Sequence, residues 1–134
     1  MRMDLLGGKG NFYKANLHCH SVYSDGKLTP EELKDEYMKR GYSIVAFTDH
    51  ERFIGHNGLS GDGFLALNGY EAGIADESAG PGHRRPCYHF GIIALDGGPR
   101  QVLEAKRAYG AHAATHGYIA ERRRRGFAVI SHHP

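Results

Sequence analysis

His18 and His20 stand one residue apart, and Asp25 follows between Ser24 and Gly26, in the stretch Asn16–Gly26 (NLHCHSVYSDG). On a β-strand successive side chains point to opposite faces, so this spacing sends both imidazoles one way and Leu17 and Cys19 the other. Two neutral imidazoles on one face can share a transition-metal ion. An isolated pair fits two ordinary surface or core histidines equally well. Thr48-Asp49-His50, Glu71, His89 and His133 shift that balance, because each falls at or near the end of a strand-like run. A mixed imidazole and carboxylate set suits zinc, iron or manganese and lacks the thiolate character of a structural zinc knot. Adjacent metals ~3.5–4 Å apart can hold a hydroxide nucleophile and stabilise both oxygens of an in-line displacement.

The elements that must position these groups follow from the hydrophobic pattern. Residues 1–12 read as a Gly-rich lead-in and Tyr13–Cys19 as the first strand. Ser21–Lys27 is a turn, with Asp25-Gly26 supplying its chemistry. Thr29-Pro30-Glu31-Glu32 opens a helix: Thr29 caps, Pro30 fits the first helical position and Glu32 completes a capping box. Leu33, Tyr37 and Met38 form its expected buried face, and Arg40-Gly41 ends it. Ser43–Phe47 is almost continuously apolar, which predicts a strand buried on both faces of a parallel sheet. That strand delivers Thr48, Asp49 and His50 at its C-terminal end.

Beyond it, Arg52–Asp62 predicts a loop, Phe64–Leu67 a short strand followed by Asn68–Glu71, and Ala72–Pro86 a second loop. Cys87–Leu95 predicts a strand carrying His89, which Asp96–Pro99 breaks. Arg100–Arg125 is helical in pattern, interrupted near Gly110 or Gly117, and Phe127–Ile130 is a further strand before Ser131-His132-His133-Pro134. Strand, polar loop, helix and strand recur with polar residues at strand ends. That order predicts a parallel α/β sheet or barrel with its site on the C-terminal face.

Composition sets the broad class. The chain has 134 residues, 40% apolar and 24% charged, as expected of one soluble globular domain with its own core. A formal charge of +2 is too small to imply a nucleic-acid partner, whereas ten histidines are unusual. Cys19 and Cys87 allow at most one disulfide, and no apolar run reaches signal-peptide or membrane-span length. A cytoplasmic protein with free thiols and no membrane contact is the expectation.

Taken together, NLHCHSVYSDG, LTPEEL, VAFTDH, NGYE, YHFGIIALD and VISHHP resemble, in order, the PHP (polymerase and histidinol phosphatase) superfamily of metal-dependent hydrolases. The opening YKANLHCHS and the pairing of NGYE with CYHF resemble its carbaryl-hydrolase-like branch. The resemblance runs from about Tyr13 onward. It implies an α/β fold, an irregular (β/α)7 barrel holding up to three divalent transition metals (Zn, Mn or Fe). His18 and His20 would bind the first metal, and Glu71 would bridge the first and second. His89 and His133 would complete the second, and Asp25 and His50 would face a third. Asp49 is more often a partner that orients a ligand.

The family pattern ends with a Ser-Asp-Ala-His-like motif well after the His-Pro motif, and a full barrel of the related eight-stranded type needs about 250 residues. The expectation is therefore a domain over 13–134 that is incomplete at its C-terminal side, its open strand edge and apolar surface favouring self-association. The implied activity is hydrolysis of a small-molecule phosphate ester, a phosphorylated metabolite or nucleotide. Ester or carbamate hydrolysis and a catalytically incomplete metal-binding module are the alternatives.

Other features point less directly to chemistry. Arg84 and Arg85, beside His83 in the loop between Glu71 and His89, could grip a phosphate bidentately. His112 and His116 stand four apart but lack the Glu of an HExxH pair, and a solvated helix face is the expectation. Arg122–Arg125, after Glu121, complement a helix C-terminus more simply than they imply nucleic acid. His56 reads as a loop histidine, Cys19 as core, and Cys87 as a neighbour of His89. His133, directly before Pro134, is preferred over His132 as the ligand.

Overall fold

The computed structural model describes residues 10–75, 87–95, 120, 122–124 and 127–132. Ala15–Cys19 (β1), Pro30–Lys39 (α1) and Ile44–Phe47 (β2) form a strand–helix–strand unit whose two strands pair in parallel. Local chemistry explains α1. Thr29 Oγ1 accepts from the Glu32 backbone N–H at 3.3 Å, and the Glu32 carboxylate accepts from the Thr29 N–H at 2.8 Å. Together they satisfy two donors that a helix start otherwise leaves open. Gly41, at φ +76°, ends the helix in a conformation that a side chain resists. Leu33 and Tyr37 pack inward as expected. Met38 does not: it is 37% exposed, because α1 is short and only one narrow stripe meets the sheet.

Val45, Ala46 and Phe47 are all buried, so β2 is covered on both faces, as its apolar run predicts. On one face Val45 and Phe47 join Cys19, Phe64 and Ala66, with Leu33, Tyr37 and Leu59 against them. Burying each large apolar side chain stabilises by about 1.5–3 kcal/mol.

The sheet departs from the sequence expectation after β2. Leu65–Ala75 (β3) runs far past Leu67, and Cys87–Ala94 (β4) and Phe127–His132 (β5) complete the order β1-β2-β3-β4-β5. Over Leu65–Asn68, β3 pairs in parallel with β2; from Gly69 onward it pairs antiparallel with β4, and β5 is antiparallel to β4. The sheet is thus mixed rather than parallel, and it curls into a half-barrel compatible with part of a PHP barrel. At the changeover, a Cβ on Gly69 would sit 2.5 Å from the Ile92 carbonyl oxygen. Only glycine admits that approach without moving backbone.

The antiparallel half has its own core, in which Tyr70, Ala72, Phe90, Ile92 and Ala94 pack with Phe53, Tyr88 and Val129. Tyr70 and Ala72 flank Glu71 in sequence, so strand alternation turns the Glu71 carboxylate to the opposite face. Glu71 therefore lies within a strand, not at the end of one. Ala120 and residues 122–124 are helical. Arg122 is buried, while Arg123 and Arg124 are exposed. None of the described helices is long and apolar enough to cross a membrane.

Candidate metal centre

The Glu71 carboxylate is the centre of the site. It is 1% exposed and meets four imidazoles. Its Oε2 lies 2.7 Å from His20 Nε2, 3.3 Å from His50 Nδ1 and 3.5 Å from His18 Nε2. Its Oε1 lies 2.7 Å from His89 Nδ1. The groups arrive from four neighbouring strands or their ends. His18 comes from β1 and His20 from the residue after it, His50 follows β2, and His89 is in β4. A register shift between Asn16 and Cys19 breaks the even ladder of β1 where His18 sits. Bulges of this kind re-aim side chains.

Backbone hydrogen bonds hold His50 against β3. Glu71 N–H donates to the Asp49 carbonyl at 3.1 Å, and Glu51 N–H donates to the Glu71 carbonyl at 2.8 Å. Glu51 adopts a left-handed conformation, φ 55°, and its carboxylate accepts from Gly73 N–H at 2.9 Å. Non-glycine residues rarely take this conformation, and the Gly73 bond offsets part of its cost.

Asp25 closes the opposite side. Its Oδ1 lies 2.7 Å from His20 Nδ1 and its Oδ2 3.5 Å from His50 Nε2. The hydrogen bond with His20 holds the Asp25 carboxyl below its usual range. Three overlapping donor groups result: His18, His20 and Glu71; His20, Asp25 and His50; and His50, Glu71 and His89. Six sequence candidates are thus brought together. His50 reaches Glu71 and His89 as well as Asp25, so it stands between the second and third positions that the resemblance implied.

Asp49 occupies a different place. It is buried, its Oδ1 accepts from Ser21 N–H at 2.7 Å and Ser24 Oγ at 2.8 Å, and its Oδ2 accepts from Ser21 Oγ at 2.8 Å. It anchors the loop that carries Asp25 and belongs to none of the three donor groups. Ser21, Ser24 and Glu51 were given no role by sequence reasoning, and Thr48 entered only as part of the Thr48-Asp49-His50 motif. Only the Ser and Thr flanking each ligand motif hinted at them.

His56 also differs from expectation. It is 8% exposed, its ring lies 4.7 Å from Phe47 and 6.3 Å from Tyr23, and its backbone N–H donates to Asn68 Oδ1 at 2.7 Å. Burial lowers its pKa, against the weaker pull of Asp49 and Glu31. The loop histidine is therefore a core histidine. Cys19 is core as expected, and burial raises its thiol pKa. Arg84, Arg85 and His133 lie outside the described residues, as do His83, His112 and His116. For His132 the backbone alone is described, paired with His89 across β4 and β5.

The donor set fits a divalent transition metal on one specific observation. His20 Nε2 is buried without a hydrogen-bond partner, although Glu71 Oε2 is only 2.7 Å away. Proximity without hydrogen-bond alignment is what two ligand atoms show when both aim at a shared ion. Hydrogen bonding of His20 Nδ1 to Asp25 fixes the tautomer that leaves Nε2 with its lone pair.

The PHP domain profile matches residues 16–113, which includes every one of these described donors. The chain belongs to the PHP domain family. The PHP domain described here is 31% identical over 121 residues to the error-prone DNA polymerase of Cutibacterium acnes, covering 86% of this chain and 10% of that protein. It is 38% identical over 50 residues to the DNA polymerase/3'-5' exonuclease PolX of Bacillus subtilis, 37% of this chain and 9% of that protein. It is 43% identical over 42 residues to a 5'-3' exoribonuclease of Haemophilus influenzae, 31% of this chain and 15% of the relative. The chain thus spans a small part of these relatives. A solved structure from Bifidobacterium adolescentis, of a protein assigned as a metal-dependent phosphoesterase, aligns with TM-score 0.53 and 26% identity. That alignment covers 70% of this chain and 32% of the other.

Proposed function

We propose that this PHP domain is a metal-dependent phosphoesterase acting on a small phosphorylated metabolite or nucleotide. The observation that carries the reading is the buried Glu71 carboxylate, which has His89 on one oxygen and His18, His20 and His50 around the other. Such a carboxylate could bridge two cations, with His18 and His20 toward one and His89 and His50 toward the other, to which the resemblance would add His133 as a ligand. Asp25 and His50 would face a third. A divalent metal held there supplies Lewis acidity and a nucleophile at neutral pH.

The chain's own residues do the rest. Strand β1, the end of β2 and strand β4 place the imidazoles, burial of Glu71 on β3 keeps bulk water from its carboxylate, and Asp49 steadies the Ser21–Asp25 loop. Arg84 and Arg85 are proposed as phosphate grips on sequence grounds, since guanidinium pairs bidentately with phosphate. The half-barrel sheet is read as part of a PHP-type (β/α)7 barrel. The phosphoesterase neighbour and the polymerase and nuclease relatives favour a phosphate ester over a carboxylic ester or carbamate. They lend no support to the carbaryl-hydrolase-like branch.

The test is metal content by elemental analysis together with turnover of p-nitrophenyl phosphate, with and without added manganese or zinc. Parallel assays with p-nitrophenyl acetate separate the ester reading. Metal-dependent phosphate release that disappears in Glu71→Gln supports the proposal. Stoichiometric metal without any turnover supports the binding-module alternative instead.

A further inference from the structure

We infer that Thr48 is a positioning residue for His18: its hydroxyl accepts the His18 Nδ1 proton and so presets the tautomer whose Nε2 lone pair faces the centre. The inference rests on the metal-centre reading for its purpose, and on geometry for its content. Thr48 Oγ1 lies 3.1 Å from His18 Nδ1, accepts from Cys19 N–H at 3.1 Å and lies 3.4 Å from the Cys19 carbonyl oxygen. The Thr48 side chain is fully buried, so its hydroxyl depends on protein partners, whereas the His18 ring is 41% exposed.

A hydroxyl has one proton to donate and two lone pairs to accept with. When Nδ1 carries the proton, Thr48 accepts from His18 and from Cys19 N–H and donates to the Cys19 carbonyl, so its whole capacity is used. When Nδ1 is bare, Thr48 must turn its only proton to the ring, and the contact with the Cys19 carbonyl is lost. The first arrangement makes one more hydrogen bond at a buried site. It also leaves His18 Nε2, 3.5 Å from Glu71 Oε2, as the nitrogen able to ligate. The same hydroxyl ties β1 to the end of β2, where Thr48 N–H donates to the Cys19 carbonyl at 2.7 Å. The ring is thereby oriented by the framework rather than by the ligand. Groups that hold a ligating imidazole through its other nitrogen typically contribute ~10–100-fold in metal affinity.

Long-range 1H–15N NMR of the histidine rings tests this in chelator-treated protein at pH 8, with His18 assigned by its absence in His18→Gln. We expect the Nδ1–H tautomer at His18 in the native chain and in Thr48→Ser, and a shift toward Nε2–H in Thr48→Val. A native His18 in the Nε2–H form overturns the inference, and that measurement stands even if Thr48→Val fails to fold. So does a Nδ1–H form that persists unchanged in a folded Thr48→Val. Zinc titration supplies the second readout, with affinity falling about 10–100-fold in Thr48→Val and restored in Thr48→Ser. If the native chain binds no zinc, the metal-centre reading fails, while the tautomer measurement still decides the role of Thr48.

Discussion

Glu71 Oε2 approaches His20 Nε2 to 2.7 Å, yet the nitrogen makes no hydrogen bond, and both atoms are buried. A buried carboxylate ringed by four imidazoles is costly unless charge is compensated. A cation would provide that compensation, with each imidazole neutral and each lone pair used.

Replacing Glu71 by Gln keeps the shape and removes the charge. We expect metal affinity to fall by more than the ~100-fold seen when a group that only orients a ligand is lost. Elemental analysis after equilibrium dialysis against zinc or manganese checks it. Retained stoichiometric metal would show that Glu71 does not bridge.

Asp49 makes a contrasting prediction. Asp49→Ala removes the acceptor for the Ser21 N–H and two serine hydroxyls, at a cost of about 1–3 kcal/mol for each buried group left unsatisfied. Asp49→Asn, which can keep the acceptor at Oδ1, should cost less. Urea melts of the two variants give the ranking, and an equal or reversed order would refute a loop-anchoring role.

Gly26 follows Asp25 and donates its N–H to the Ser21 carbonyl at 2.9 Å. An added Cβ would fall within contact distance of the His20 carbonyl, which is backbone and cannot swing aside. Gly26→Ala should therefore displace the Asp25 loop and break its bond to His20 while β2 and α1 persist. Chemical-shift changes confined to residues 20–26 and 49–50, with a modest drop in stability, are expected. Unchanged shifts at His20 would contradict the structure.

His56 links stability to pH. Its folded pKa is lowered by burial, so the unfolded chain binds the proton more readily. Its contribution to stability is fully present above the unfolded value of ~6.5 and is lost as pH falls through the folded value. Denaturation midpoints of the native chain should thus drop on acidification below about pH 6.5, and His56→Gln should flatten that slope. A slope that is identical in the two proteins would assign the effect to other groups.

The sequence by itself determined those features whose causes are local. The capping box at Thr29 and Glu32 spans one helical turn, so α1 was legible with its cap. The apolar run Ile44–Phe47 announced a strand covered on both faces, and the ordered motifs around His18, His20, Asp25, His50, Glu71 and His89 announced the PHP domain and a cluster of donors that could hold a metal. Tertiary structure decided what depends on pairing between distant segments. Whether β3 stopped at Leu67 or continued to Ala75 depended on β4, which pairs antiparallel from Gly69 and extends the strand through Glu71. That pairing, absent from any local pattern, turned the expected parallel sheet into a mixed one. Burial of His56 beneath Phe47 and Tyr23, and the bonds from Ser21 and Ser24 to Asp49, likewise join residues far apart in the chain. A hydroxyl or a loop histidine carries no periodic signal, and its role exists only once the strands have brought its partners within hydrogen-bonding distance.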